Sequence, residues 1–505
     1  MSARLPSGGS IIDRETRVSF TFNGKTFKGY KGDTLASALL ANGQTLVGRS
    51  FKYHRPRGIM ASGVEEPNAL VNMGQGSRFE PNQRATTTEV FDGLTATSQN
   101  HWPSLEFDIG AINNKIPGLL PAGFYYKTFM KPQWAWKHLF EPLIRKSAGL
   151  GNAPREADAD RYEYFYVYVD VVIVGGGMAG LAAAHEAGAS GAKVLLMEQT
   201  ANLGGRLAVD GAVINGKPSA DWIAQIIADL EAMKNVTIRT RMMGSGVFDH
   251  GYAMGYERIT DHAPNDTAPR HRLWRIRAKR IVTATGALER PLSFAGNDIP
   301  GVMLASAVRD YASLFGVSAG DRIVLVTNND DAYRTAITMK NAGLEVPVIL
   351  DARAQANGPL PTEARALGIR VEVGKAIASV KGYKSVTAVE ICAQAGEGTP
   401  LETIPCDVVA MSGGWSPVVH LWSHCGGKLN WDEGNAMFSP DPTRPPLGAD
   451  GTGFVLTAGT ASGDLCTAPA LQNALNAGRQ AATEAGFIPV ESAAPVVVTR
   501  AEDPM

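Results

Sequence analysis

The sequence predicts an α/β protein with two successive Rossmann-like dinucleotide-binding units, preceded by a small β-grasp-like domain. Three observations predict this. The fully apolar strand DVVIVGGG runs from Asp170 into a glycine loop and then a helix. Further apolar strands (AKVLLMEQ, RIVTATG, DRIVLVT and GFVLTAG) alternate with helical stretches, and that alternation builds parallel sheets buried on both faces. Before residue 100 the pattern changes to short alternating strands, a tight turn and a single helix.

The bulk numbers exclude several function classes. A chain of 505 residues exceeds one ordinary domain and suggests roughly two to four units. A formal net charge of -1 provides no global field for nucleic acid or an anionic membrane. No apolar run reaches the ~18–20 residues of a membrane span, and MSARLPSGGS lacks the apolar stretch of a secretory signal. The expectation is a cytoplasmic protein that binds neither nucleic acid nor membrane. The cysteines are Cys392, Cys406, Cys425 and Cys466, and no two form a C-x-x-C pair. This argues against a redox-active disulfide and a local iron–sulfur site, and no metal site is predicted.

Residues 1–17 read as a mobile arm. Residues 18–100 form the β-grasp-like unit: VSFTFNG alternates, Asn23-Gly24 makes a hairpin turn, and KTFKGY returns. GDTLASALLANG then reads as a helix capped by Asp33 or Thr34 and ended by Gly43. Residues 101–165 form a linker or helical segment with dense aromatics from Phe124 to Phe140. That stretch is either a linker packed on the main body or a partner-facing patch, since aromatics are enriched in interface cores. The first dinucleotide-binding domain spans 166–300 and the second 301–420. Residues 421–488 return to the first, and 489–505 form a tail.

The first glycine loop carries the strongest signal. Gly175-Gly176-Gly177-Met178-Ala179-Gly180 matches G-x-G-x-x-G between an apolar strand and a helix. Gly175 suits the tight turn, Gly177 the approach of a pyrophosphate, and Gly180 close helix–strand packing. The helix start, with Met178 and Ala179, turns amides and the dipole toward phosphate. Glu198, followed by Gln199, ends the next strand, where an acid grips an adenosine ribose and repels a 2′-phosphate. NAD or FAD is therefore favoured over NADP. Gly204-Gly205-Arg206 adds close backbone approach, and Arg206 is read as a phosphate-pairing guanidinium. Thr283-Ala284-Thr285-Gly286 closes another strand, and here the chain resembles two-dinucleotide-domain flavoproteins, whose A-T-G segment passes beneath the cofactor.

The second unit is degenerate. Thr327-Asn328-Asn329-Asp330-Asp331 stands where a second glycine loop belongs, and its two acids repel a pyrophosphate. It is read as a retained scaffold without a cofactor. Near the end of the chain, Gly459 is followed by Thr460, where flavoproteins of this type carry Gly-Asp. That shifts the expected occupant from FAD, the alternative, to NAD.

Four segments together resemble the alpha subunit of heterotetrameric sarcosine oxidase: FKYHRPRGIMASGVEEPNALV, VVIVGGGMAGLAAA, VTNNDDAYRTA and SGGWSPVVHLWSHCGGKLNWDE. The resemblance implies a ferredoxin-like N-terminal domain without its cluster, consistent with no Cys before Cys392. It implies a tightly bound NAD in this chain, amine oxidation on FAD in a beta-type subunit, FMN at the interface, and small gamma and delta subunits. The family's alpha subunit continues into a folate-binding, aminomethyltransferase-like half. This chain stops at Met505, so it reads as a split subunit or a fragment, and folate chemistry is not assigned to it.

The alternatives are the corresponding subunit of a related N-methylglutamate, opine or hydroxyproline dehydrogenase complex, or a free-standing NAD(P)H-dependent flavin oxidoreductase. The latter needs a second nucleotide loop and an electron exit. No catalytic residue is nominated. His54, His420 and His424 are read as structural. Arg55 and Arg57 form a loop that packs on the main body or faces an interface flavin.

Overall fold

The structure, a computed structural model, describes residues 3–115, 118, 123, 127, 130–147, 149, 151–264, 267–490, 493 and 495–499. Strands β1 (Asp13–Phe22) and β2 (Lys25–Lys31) form the predicted hairpin. Asn23 at φ 50° and Gly24 at φ 76° both adopt the left-handed conformation that a two-residue hairpin turn requires. Helix α1 (Leu35–Ala41) starts at Thr34, which forms a capping box with Ser37. Strands β3 (Leu70–Met73), β4 (Glu80–Arg84) and β5 (Thr95–Ser98) complete a sheet ordered β2-β1-β5-β3-β4.

The N-terminal arm does not hang free. Arg4 pairs with the fully buried Asp33 at 2.7 Å, and Leu5 N–H donates to the Gly316 carbonyl. The arm thus ties the β-grasp domain to the second dinucleotide-type unit. Residues 124–126 and 128–129 of the aromatic stretch lie outside the described residues. Its remainder is helical over Gln133–Ser147, with a widened turn at Trp136–Phe140, and Trp134 is exposed.

The first unit is built on β6 (Tyr162–Val174), α2 (Met178–Ala189), β7 (Val194–Met197), α3 (Ser219–Ala232) and β8 (Val236–Arg239). It continues through the meander β9 (Met242–Phe248), β10 (Tyr252–Arg258) and β11 (His271–Thr283). The second unit contains β12 (Val302–Leu304), α4 (Ala305–Phe315), β13 (Ile323–Thr327), α5 (Asp331–Asn341), β14 (Val348–Asp351), β15 (Arg370–Val373) and β16 (Val408–Ser412). The chain then returns to the first unit as β17 (Val455–Thr457) and α6 (Thr467–Glu484). In the tail, Val497–Val498 pairs with Val213–Ile214, so this part of the tail is an added edge of the first unit.

The first sheet runs β8-β7-β6-β11-β10-β9, with β17 also on β11, and the second runs β12-β16-β13-β14-β15. All neighbours in the second sheet are parallel, as apolar strands such as β13 predict. Helices α2 and α6 cover one face of the first sheet. Gly478 permits their approach, since a Cβ there would lie 2.4 Å from the Ala183 carbonyl oxygen. The second unit and the β-grasp domain share one apolar core, from Phe20 and Leu39 to Tyr311 and Val409. Fully burying an aromatic such as Phe20 contributes about 1.5–3 kcal/mol, and the shared core joins the small domain to this neighbour.

Candidate nucleotide site

Gly175 has φ 110°, a conformation that favours glycine, and a Cβ there would sit 2.3 Å from the Ala284 carbonyl oxygen. At Gly180 a Cβ would lie only 1.7 Å from the Gly175 carbonyl oxygen. These two glycines close the loop against its own framework. Gly177 differs. Its φ is -73°, and a Cβ there would find only the Gly205 Cα, at 3.8 Å. Gly177 caps α2, and the β-bridge between Gly177 and Gly204 brings the second glycine pair alongside. The room above Gly177 is what a pyrophosphate facing the α2 amides requires.

The other predicted residues gather round this point. Glu198 is buried. Its carboxylate accepts N–H bonds from Gly176 at 2.8 Å and Thr200 at 2.7 Å, and a third bond from the Thr200 hydroxyl. It thus fixes the glycine loop from the end of β7. Gln199, beside it, is exposed and accepts at its carbonyl from Arg258. Thr285 donates its hydroxyl to the Val418 carbonyl at 2.7 Å. A Cβ on Gly286 would lie 3.9 Å from the Thr460 hydroxyl, so Thr460 edges the cradle. Gly459, at φ 67°, packs on Ala179, and its N–H donates to Asn473 of α6. Sequence reasoning missed Asn473, because a lone Asn within a helix carries no local signal. It also passed over Asp464, the acid four residues after Thr460, which accepts from the Ser462 hydroxyl.

Arg206 is held by acids of both units. The structure gives its guanidinium two carboxylates, Asp210 at 2.6 Å and Asp310 at 2.5 Å, and sets it over the Trp415 ring. This is one corner of a charge cluster between the two units. Arg309, 1% exposed, pairs with Asp210 at 2.9 Å and Asp331 at 3.0 Å. Ser62 of the β-grasp domain donates to Asp310 at 2.7 Å. Burial alone would raise the Asp210 carboxyl, but Arg206 and Arg309 more than offset it and hold it down at about 2. Arg206 therefore locks the units together, and its phosphate role was read from sequence position alone.

The second glycine-less loop is filled from within. Asp331, opening α5, faces Arg309 and Arg334, while Asp330 pairs with Arg353 at 2.6 Å. Asn329 is buried and donates to Ser412 at 2.9 Å. Protein groups thus occupy the helix start where phosphates would lie.

Beside this cluster lies Glu289. It is buried, and one oxygen accepts the Ser306 N–H at the start of α4, with the Ser306 and Ser412 side chains beside the carboxyl. Burial pushes its carboxyl up to about 7 against the opposing hydrogen bonds. A buried acid near neutrality between two nucleotide-type units is a functional-site candidate. The sequence signal was the Glu-Arg-Pro run shortly after Thr285-Gly286.

Two of the three singled-out histidines make protein contacts. His54 Nδ1 bonds Asp108 at 2.7 Å, and His424 Nδ1 bonds the Val247 carbonyl at 2.8 Å. His420 opens the short helix His420–His424. Arg57 pairs with Asp298 at 2.5 Å, so the HRPRG loop packs on the main body. Among the described residues, no His/Cys/Asp/Glu group is arranged to hold a metal, and no helix is long and apolar enough to cross a membrane.

Comparison with known proteins follows the same division. Residues 15–101 match the family described as a 2Fe-2S iron-sulfur cluster binding domain, although they contain no cysteine. Residues 169–437, more than half of the chain, match the pyridine nucleotide-disulphide oxidoreductase family. The sarcosine oxidase alpha subunit of Rhizobium meliloti (strain 1021) is 47% identical over 439 residues, covering 86% of this chain and 44% of that protein. The sarcosine oxidase alpha subunit of Corynebacterium sp. (strain P-1) is 37% identical over 501 residues, covering 96% of this chain and 46% of that protein. The chain thus spans a little under half the length of these relatives. Among solved structures, L-proline dehydrogenase from P. horikoshii superposes with a TM-score of 0.64 at 21% identity, covering 95% of this chain and 75% of that one. That likeness speaks for the fold alone.

Proposed function

The chain belongs to the pyridine nucleotide-disulphide oxidoreductase family and is a homologue of sarcosine oxidase alpha subunits, and we propose that it is the nucleotide-holding, alpha-type subunit of an amine-oxidising flavoprotein complex. The observation that carries this reading is the contrast between the two units. One has a glycine cradle left open above Gly177, and the other has its helix start filled by Asp330, Asp331 and their arginines.

NAD is the occupant that best fits the open cradle. Gly175 to Gly180 would face its pyrophosphate with the α2 amides, and Glu198 would stand at its adenosine ribose. Thr285, Gly286, Gly459 and Thr460 would line the opposite wall. When bound, NAD offers hydride-carrier chemistry. Oxidation of a secondary amine needs a flavin set against the substrate nitrogen, because protein side chains cannot accept a hydride. In this reading the flavin lies in a beta-type partner, with FMN at the shared interface, and small gamma and delta subunits complete the assembly. Sarcosine is the substrate that the relatives' names favour. An opine, N-methylglutamate or hydroxyproline would be selected in the partner chain.

The test has two parts. Mass spectrometry of the purified chain is expected to find one NAD per chain, and its visible spectrum no flavin band. A yellow chain releasing stoichiometric FAD would overturn the assignment. The chain is then assayed with sarcosine and an electron acceptor, alone and with a beta-type subunit. Turnover is expected only in the mixture, and turnover by the chain alone would move the active site into this sequence.

A further inference from the structure

Strand β6 is longer than its own sheet needs. It pairs with β11 along its whole length, but β7 first meets it at Val171. Among the described residues, Tyr162–Tyr168 therefore present a strand edge with no backbone partner on the far side. Natural edges of this length are usually blunted by charge, proline or a bulge. This one reads YEYFYVY, and its single charge, Glu163, is already paired with Arg272 at 2.8 Å.

The face beside that edge is equally unusual. Tyr164, Tyr166 and Tyr168 alternate along β6 and are 66%, 67% and 60% exposed. Across the ladder, Tyr166 stands opposite Arg275 and Tyr168 opposite Arg277. The Arg275 guanidinium lies over both Tyr164 and Tyr166, and Arg277 lies over Tyr252 of β10. Arg275 is hydrogen-bonded to the Tyr166 hydroxyl and Arg277 to the His250 carbonyl. Neither has a carboxylate partner among the described residues. Tyrosine and arginine are the residues most enriched at binding hot spots, and a contiguous exposed patch of this kind marks an interaction site.

We propose that the free edge of β6 and its tyrosine–arginine face take up an extended acidic strand of a partner subunit. The exposed backbone groups would pair with the incoming strand. Carboxylates at its alternate positions would meet Arg275 and Arg277, and its small side chains would lie on the tyrosine rings. A second copy of this chain is a poorer occupant, because its own edge brings tyrosines and arginines to this face and no unpaired carboxylate. The proposal rests on the subunit reading above, but its test does not use the nucleotide.

The test is hydrogen exchange on the full chain, followed peptide by peptide, with two synthetic strands of about ten residues. One alternates Glu with Val and Thr, and the other carries Lys in place of Glu. The Glu strand is expected to slow exchange across residues 162–168, less so in high salt, while the Lys strand has no effect. Arg275→Gln with Arg277→Gln is expected to weaken the Glu strand on the order of tenfold, as the loss of two exposed charge contacts predicts. Arg275→Glu with Arg277→Glu is expected to reverse the preference, and the milder glutamine pair covers the case in which this variant does not fold. No protection by the Glu strand, or equal protection by both strands, would overturn the proposal. So would protection in the chain alone that grows with its concentration, which would identify a second copy as the occupant. A chain that holds its nucleotide but ignores both strands sinks this inference and leaves the nucleotide assignment standing.

Discussion

Gly177→Val separates a ligand role from a structural one. In the protein alone the added Cβ meets almost nothing, since the Gly205 Cα lies 3.8 Å from it. The backbone, at φ -73° and ψ -176°, is extended and open to any residue. Valine is a poorer helix cap than glycine, at a cost of about 0.5–1 kcal/mol. Reduced freedom of the unfolded chain returns about 0.4–1 kcal/mol. The two nearly cancel, so thermal unfolding is expected to move by no more than about 2–4 °C. The same branched side chain fills the space in front of the α2 amides, where a pyrophosphate would need to approach. Nucleotide content, measured by chromatography after acid release, is expected to fall below a tenth of the parent's. Gly180→Ala is the control, because its Cβ would lie 1.7 Å from the Gly175 carbonyl oxygen and must displace backbone. It is expected to lose about 1–3 kcal/mol or more of stability. A Gly177→Val protein with full nucleotide content would refute the cradle, however well it folds.

Three further outcomes follow from the same geometry. Arg309→Met leaves Asp210 and Asp331 short of a buried partner and is expected to cost about 3–5 kcal/mol in urea unfolding; a loss under 1 kcal/mol would show that Arg206 and Arg334 suffice. Glu289 sits at about 7 when folded, above its usual 4.5, so the folded protein holds an extra proton between those values and stability falls as pH rises through them. Glu289→Gln removes a penalty on the order of 3 kcal/mol above neutrality, so its stability relative to the parent is expected to climb from about pH 5 to pH 8, and parallel pH curves would count against this. Residues 15–101 match a cluster-binding family but offer no thiolate, whereas a plant-type cluster needs four, so iron analysis is expected to find none bound there.

The sequence by itself determined the elements whose cause is local. Asn23-Gly24 specified a hairpin because both residues tolerate positive φ, and Asp33-Thr34 specified a helix start, which the structure assigns to the Thr34 hydroxyl on the Ser37 amide. The glycine loop was legible for the same reason. Gly180 is needed by a contact within a single strand–turn–helix and Gly175 by its positive φ, and the apolar runs that end β6 and form β7 and β13 announce strands buried on both faces. The tertiary structure alone decided what depends on distant partners. Arg206 stands beside two glycines, but its pairing with Asp310, more than a hundred residues away, could not be read from them. The arm looked mobile because small and polar residues fill it, yet Arg4 finds Asp33 and Leu5 finds Gly316 only once the β-grasp domain docks on the second unit. Glu289 acquired its shifted acidity, and β6 its unpaired edge, in the same way. Burial and missing neighbours belong to the assembled fold, and no window of local sequence encodes them.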